Sequence, residues 1–181
     1  MKNVLKRSII VISFVLLIIC AVSCVNAQDD DSDITMMTLS KGGLVINYPS
    51  NWGCAQAESN CSIMSIAKLD SIDASGVGQV NINFEKKSYE GDFETYLNNT
   101  YGTLKKDPSF NLTASGEVMV NNVHAYEYTY SSEKNGTVKE HKAVWFEKGG
   151  QAYVMLYSAP VSEYDDNVYV FNYILSDIQI T

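Results

Sequence analysis

Apolar and polar positions alternate over several short runs downstream of residue 36, and such alternation is typical of β-strands. Val80, Ile82 and Phe84 alternate with Asn81, Asn83 and Glu85, which predicts a strand buried on one face only. Asn135-Gly136 separates two later runs, and because this dipeptide favours tight turns, those runs should pair as an antiparallel hairpin. Strands are predicted at 44–48, 62–69, 80–85, 117–120, 125–131, 138–147, 153–157 and 178–180.

A first helix is predicted where apolar residues recur at a spacing of 3.6. Asp92 stands directly before it as a candidate N-cap, and Lys105 and Lys106 lie near its C-terminus, where positive charge opposes the helix dipole. Its apolar face consists of Phe93, Tyr96, Leu97, Tyr101 and Leu104.

A second helix is predicted over 162–176, with Ser162 and Asp165 approximating a capping box. Its buried face should carry Tyr164, Val168, Phe171 and Leu175. Strands in series with one internal helix and one helix near the end indicate an α+β domain, in which helices flank an antiparallel sheet.

The N-terminus has the charge and hydropathy pattern of an export signal. Lys2, Lys6 and Arg7 precede an apolar run over 9–22. Three outcomes stay open for residues 1–27: lipidation of Cys24 within a lipobox-like Ala-Val-Ser-Cys, cleavage after Ala27, or retention as an uncleaved anchor. Each outcome puts the rest of the chain outside the cytoplasm, either secreted or held on the outer face of the membrane.

The region after the signal divides into a tether and a folded domain. Residues 28–35 are acidic and should form a solvated tether, with a calcium loop as the less supported alternative, and the domain should occupy 36–181. An oxidising exterior should pair Cys54 with Cys61, since their spacing matches neither a redox nor a metal motif.

Four Asn-x-Ser/Thr sequons are candidates for glycosylation. Asn60 is the weakest, because its sequon contains Cys61. Asn98, Asn111 and Asn135 remain, and the expected turn at Asn135 should expose that side chain.

Composition and charge narrow the function classes. The 181 residues are 46% apolar and 19% charged, as in a folded globular protein, and the formal net charge is −8. The only basic cluster lies in the export signal, so nucleic acid is a poor partner. The chain contains none of the common nucleophile, phosphate-binding or zinc motifs, and we expect no cofactor, no metal and no catalytic site.

A few residues offer alternatives to this expectation. His124, at a strand entry, and His141, in a strand expected to be exposed, are the two histidines available for acid-base chemistry or metal binding. Ser158 has no base assigned to it by sequence spacing, and Asp165 and Asp166 at a helix N-terminus are explained by the helix dipole.

The chain contains twelve tyrosines, more than we expect for its length, and three of them share one strand face. Tyr126, Tyr128 and Tyr130 alternate in the 125–131 run. They should either pack beneath a helix or provide a binding surface for a glycan or protein partner.

Several segments resemble PsbP-type domains. Ile46-Asn47-Tyr48-Pro49-Ser50-Asn51-Trp52 is similar to the strand and Tyr/Phe-Pro-x-x-Trp turn that open these domains. Residues 93–97, 120–130, 153–159, Tyr164 and 171–178 are similar, in order, to later family elements. The resemblance implies an α-β-α sandwich over about residues 43–181 and imports no catalytic site, because the family consists chiefly of extrinsic, non-enzymatic proteins.

Two function classes follow. The first is a secreted or cell-surface, non-catalytic binding or accessory module, monomeric, touching the membrane only through its N-terminal segment and binding an envelope protein or glycan. The alternative is an extracellular hydrolase or metal-ion-dependent enzyme that uses His124 or His141 with carboxylates.

Overall fold

A seven-stranded antiparallel sheet organises the residues that the computed structural model describes, which are 34–55, 62–134 and 136–180. The strands are β1 Met36–Lys41, β2 Leu44–Pro49, β3 Trp52–Cys54, β4 Ser62–Lys68, β5 Asn81–Ser88, β6 Asn111–Val120, β7 Val123–Lys134, β8 Thr137–Lys148, β9 Gln151–Pro160 and β10 Gln179–Ile180. The large sheet has the order β3-β4-β5-β9-β8-β7-β6. Its central strand, β9, pairs with β5 on one side and with β8 on the other. A short 3₁₀ helix, Leu69–Ser71, follows β4.

A second, three-stranded sheet has the order β1-β2-β10. β2 pairs antiparallel with both neighbours, for example Leu39 with Ile46 and Gln179 with Val45. Neither β1 nor β3 was predicted from the sequence. β1 is almost entirely exposed and therefore lacks a buried alternation, and β3 is only three residues long.

The first helix, α1, runs over Phe93–Leu104 and confirms the predicted cap. The Thr95 backbone N–H donates to the Asp92 carboxylate at 2.8 Å. Leu97 and Tyr101 are buried, whereas Leu104 is exposed and does not belong to the packed face.

The second helix, α2, runs over Val161–Asp177. The capping-box prediction is wrong: the N-cap is Pro160, which offers no capping side chain, and Ser162 already lies in the first turn. The helix buries Tyr164, Asn167, Val170, Phe171 and Ile174, while the predicted Val168 and Leu175 pack at the margin of the core.

The large sheet separates two hydrophobic cores. On one face Ala143 and Trp145 of β8 pack with α1, and on the other Val144 and Phe146 pack with α2 and β2. β5 departs from the predicted half-burial, because Asn83 and Glu85 are only 8% and 6% exposed. The fold is thus the predicted α+β arrangement, an antiparallel sheet flanked by helices, with the small sheet sharing the α2 side.

Two hairpins position β7. The predicted antiparallel pairing of β7 with β8 is confirmed from Ala125 opposite Phe146 to Lys134 opposite Thr137. The β6–β7 turn places Asn121 and Asn122 in the left-handed region, with φ of 47° and 64°. Neither of the two described helices is long and apolar enough to cross a membrane.

Candidate functional site

The three tyrosines of β7 lie on the face of the large sheet that α1 covers. Tyr126, Tyr128 and Tyr130 are half-buried and belong to the same hydrophobic cluster as Leu97 and Tyr101 of α1. The capped start of α1 fixes the helix across this row. The three rings therefore lie on one face of the sheet, and the helix above them covers part of each ring.

The three tyrosines differ in how closely other rings pack on them, from Tyr130 at the inner end of the row to Tyr126 at the outer end. Tyr101 stacks on Tyr128 with centroids 3.7 Å apart, and Phe110 lies 4.9 Å from Tyr130. Burial, with the negative charge of Glu85, raises the pKa of Tyr130 to about 12. At the outer end, Phe93 meets Tyr126 edge-on at 5.9 Å. Tyr130 is thus part of the core, and Tyr126 stands nearest to solvent.

A depression of about 200 Å³ opens at this outer end, between α1 and the edge strand β6. We call it the tyrosine depression. It is lined by Glu94, Asn98, Ser115, Gly116, Glu117, Tyr126 and Tyr128. The lining comes from three elements, and so no local sequence pattern could have assembled it.

The charge of the depression is negative. Burial, and then the nearby charges of Glu94, Glu117 and Asp92, raise the pKa of Tyr126. Its phenol stays protonated at neutral pH and can donate a hydrogen bond, while the carboxylates accept. The depression is therefore suited to a ligand with positive charge and several N–H donors.

His124 lies beside the depression. Its Nε2 is 3.0 Å from a Glu117 carboxylate oxygen, and both side chains are exposed. The imidazole also meets the Tyr126 ring edge-on at 4.9 Å. Within the described ranges, no group of three or more His, Cys, Asp and Glu side chains could hold a metal ion.

His141 contradicts the expectation of an exposed position. It is half-buried and stacks on Tyr130 at 4.7 Å. Its Nε2 lies 2.8 Å from Ser132 Oγ and its Nδ1 lies 2.8 Å from Ser158 Oγ. Burial, and then the charge of Lys139, lower the pKa of His141 to about 4, so the ring is neutral at pH 7.

The contact between His141 and Ser158 supplies the base that sequence spacing did not identify. Ser158 is buried, however, and both imidazole nitrogens are already engaged by hydroxyls. A neutral ring that donates to one serine and accepts from the other satisfies the polar atoms of three strands, β7, β8 and β9.

Sequence reasoning missed a buried polar chain on β5. Ser62 Oγ donates to Asn83 Oδ1 at 2.6 Å, and Asn83 Nδ2 donates to Glu85 at 2.8 Å. Lys87 Nζ completes the chain 2.8 Å from the other oxygen of Glu85. The only indication in the sequence was that four successive residues on one strand face, Asn81, Asn83, Glu85 and Lys87, are all polar.

The glycosylation candidates occupy different positions. Asn98 is exposed on α1 and lines the tyrosine depression, and Asn111 is exposed at the start of β6. Asn135 and Asn60 lie outside the described residues.

One thiol of the predicted cystine, Cys54, belongs to the described residues. Cys54 is exposed at the end of β3 and is not bonded to any described residue. Cys61, Cys24 and the rest of residues 1–33 lie outside the described ranges, so both the cystine and the lipidation stay predictions.

Comparisons with known proteins agree on the architecture. A family model described as PsbP-like protein matches residues 9–180. The solution structure of cyanobacterial PsbP (CyanoP) from Synechocystis sp. PCC 6803 is similar with a TM-score of 0.59 and 11% identity, covering 86% of this chain and 98% of that one.

A second solved structure is LpqN, "involved in cell envelope biogenesis of Mycobacterium tuberculosis", with a TM-score of 0.57 and 20% identity over 83% of this chain and 93% of that one. At these identities the likeness concerns the fold alone. No curated protein matches the chain.

Proposed function

The chain belongs to the family of PsbP-like proteins, and from this premise we propose that it is a non-catalytic binding or accessory module of the cell exterior. Its N-terminal charge and hydropathy pattern supports export. LpqN, which shares the fold, is involved in cell envelope biogenesis, and this supports the same setting.

The tyrosine depression carries the proposal. It is shallow, it lies between a helix and an edge strand, and it combines Glu94 and Glu117 with the hydroxyl ends of Tyr126 and Tyr128. Such a surface can hold a partner through charge and hydrogen bonds.

The partner that this surface fits best is an envelope protein with a basic segment. A glycan would stack on a free aromatic face, but Tyr101 covers a face of Tyr128, and two rings contact Tyr126. The carboxylates favour Lys and Arg side chains instead. Among the described strands β6 is the last of the large sheet, and its outer edge next to the depression can also accept an extended segment through backbone hydrogen bonds.

A capture experiment tests this function. The full chain is immobilised, incubated with envelope extract, and the bound proteins are identified by mass spectrometry. We expect a protein with an exposed basic segment, whose capture weakens with salt and is lost in the Glu94→Gln/Glu117→Gln double variant. Asp165→Asn/Asp166→Asn removes two exposed carboxylates from α2 and should leave capture unchanged. Undiminished capture by the first variant, or capture of glycans only, would contradict the proposal.

Location is tested separately. Protease treatment of intact cells should degrade the domain, and mass spectrometry of its N-terminus separates lipidation at Cys24, cleavage after Ala27 and retention of the anchor. An intact chain in the cytosol, with Cys54 and Cys61 both reduced, would overturn the exterior setting.

A further inference from the structure

An apolar groove lies on the α2 side of the molecule, away from the tyrosine depression. It has a volume of about 200 Å³ and runs where α2 meets the small sheet. Its lining residues are Ile34, Met36, Pro49, Tyr169, Val170 and Tyr173. None of these side chains is charged, and we refer to this feature as the apolar groove.

The groove exposes several large apolar side chains side by side. Ile34 is 61% and Tyr169 is 56% exposed, and Met36 and Tyr173 are exposed beside them. Tyr169 and Tyr173 are one helical turn apart, so their rings lie next to each other on α2. A contiguous apolar patch of this kind marks an interaction surface.

We propose that the apolar groove rests on the outer surface of the lipid bilayer, with Tyr169 and Tyr173 at the level of the headgroups. The inference rests on the proposed function in its membrane-attached form, through Cys24 or an uncleaved N-terminus. Tyrosine is enriched at membrane interfaces because its ring is apolar and its hydroxyl is polar. Ile34 and Met36 supply the apolar contact beside it.

The connectivity of the chain selects the bilayer over other occupants. The apolar run of the sequence ends at Val22, and Ile34, the first lining residue of the groove, follows twelve positions later. Fully extended, such a segment spans at most about 43 Å. A bilayer that holds the N-terminal run is therefore within reach of the groove.

Charge specifies the kind of lipid. Asp165 and Asp166 are exposed on α2, residues 29–33 contain four aspartates, and the whole chain has a formal charge of −8. Anionic headgroups would be repelled by these carboxylates within a Debye length. The groove therefore suits a zwitterionic surface.

Photolabelling from the lipid tests the proposal. The full chain is reconstituted into phosphatidylcholine vesicles that contain a diazirine-bearing phosphatidylcholine, illuminated and mapped by peptide mass spectrometry. We expect adducts on the N-terminal run, on residues 34–37 and on residues 169–173, and fewer adducts on the last two segments when phosphatidylglycerol is added.

A matched pair of variants makes the test specific. Tyr169→Ser/Tyr173→Ser should reduce labelling of residues 34–37 to background. Met119→Ser/Val138→Ser, which removes two exposed apolar side chains from β6 and β8, should leave that labelling unchanged. Circular dichroism of each variant verifies that it is folded.

The other outcomes overturn the proposal in distinguishable ways. Adducts on the N-terminal run alone would show membrane attachment without docking of the groove. Adducts spread equally over Met119 and Val138 would show unspecific collisions, and dimers linked through residues 169–173 would show that a second copy occupies the groove. Absence of all adducts would overturn the membrane-attached form, whereas failure of the proposed partner binding appears only in the capture experiment.

Discussion

Single residues beneath α1 show how the large sheet accommodates polar side chains. Asn83, Glu85, His141 and Ser158 are buried or half-buried, and each finds a hydrogen-bond partner on a neighbouring strand or within its own strand. Burying such groups without partners would cost about 1–3 kcal/mol each. Because these hydrogen bonds require partners at fixed positions, the polar side chains help to set the alignment of the strands, in addition to the apolar side chains.

His141 should make stability depend on pH. Its pKa is lowered from 6.5 to about 4, so the unfolded chain binds a proton that the folded chain does not bind between these values. The contribution is fully present above pH 6.5 and is lost as the pH falls toward 4, by about 2–3 kcal/mol.

Urea unfolding at pH 7.5 and 4.5 measures this effect. The free energy of unfolding should fall by about 2 kcal/mol more in the natural chain than in His141→Gln, because carboxylates titrate equally in both. An identical pH dependence in the two proteins would refute the neutral, buried state of His141.

Gly78 and Gly102 differ in the space that surrounds them. A Cβ on Gly78 would lie 2.1 Å from Ala67 Cβ in buried β4, whereas a Cβ on Gly102 of α1 meets nothing within 4 Å. Gly78→Ala should destabilise the fold by about 1–3 kcal/mol, and Gly102→Ala should stabilise it by roughly 0.5–1 kcal/mol. Thermal unfolding decides, and equal effects at the two positions would contradict the close approach.

At the scale of elements, the two helices begin in different ways. α1 has a carboxylate cap, and hydrogen bonds from Thr95 lower the pKa of Asp92, which keeps the cap ionised at neutral pH. α2 has no capping side chain. Its position comes from the burial of Tyr164, Val170, Phe171 and Ile174 against the sheet.

Removing a polar side chain from the N-terminus should therefore reduce the free energy of unfolding more at α1 than at α2. Asp92→Ala should lower the free energy of unfolding by about 1 kcal/mol. Ser162→Ala should change it by less than about 0.5 kcal/mol, since Ser162 does not cap α2. Urea denaturation followed by circular dichroism measures both, and a larger loss from Ser162→Ala would revive the capping box.

The elements that were predictable share a local cause. Alternating apolar residues revealed β5, short apolar or tyrosine-rich runs revealed β2, β4 and β7 to β9, and helical spacing revealed both helices. β1 has no such pattern and exists because β2 pairs with it. Likewise, the tyrosine row was predictable from one strand, but Glu94 and Glu117 join it only through the packing of α1 and the pairing of β6.

At the scale of the whole molecule, one sheet is shared by two cores. The chain has two tryptophans, and each reports on one core: Trp52 packs on the α2 side and Trp145 on the α1 side, where its indole N–H donates to the Tyr101 hydroxyl at 3.0 Å. β8 and β9 contribute alternate side chains to both cores. Because the same strands line both cores, unfolding of β8 and β9 removes one wall from each core.

The two cores should therefore unfold together. In Trp52→Phe the fluorescence of Trp145 should follow the same urea transition as the circular dichroism, and in Trp145→Phe the fluorescence of Trp52 should do so. Comparing the two probes within each variant removes the effect of the substitution on stability. A fluorescence midpoint that differs from the circular dichroism midpoint would show that the cores are independent.

The small sheet has a consequence for biosynthesis. Its middle strand, β2, pairs with β1 early in the chain and with β10 at residues 179–180, and the Asn121 side chain donates to the Ile178 carbonyl from the β6–β7 turn. A polypeptide that emerges N-terminus first from a ribosome thus lacks the second partner of β2 until residues 179–180 have appeared. The small sheet is closed by contacts between residues far apart in the sequence, and such contacts form later in folding than the local pairing of the β7–β8 hairpin.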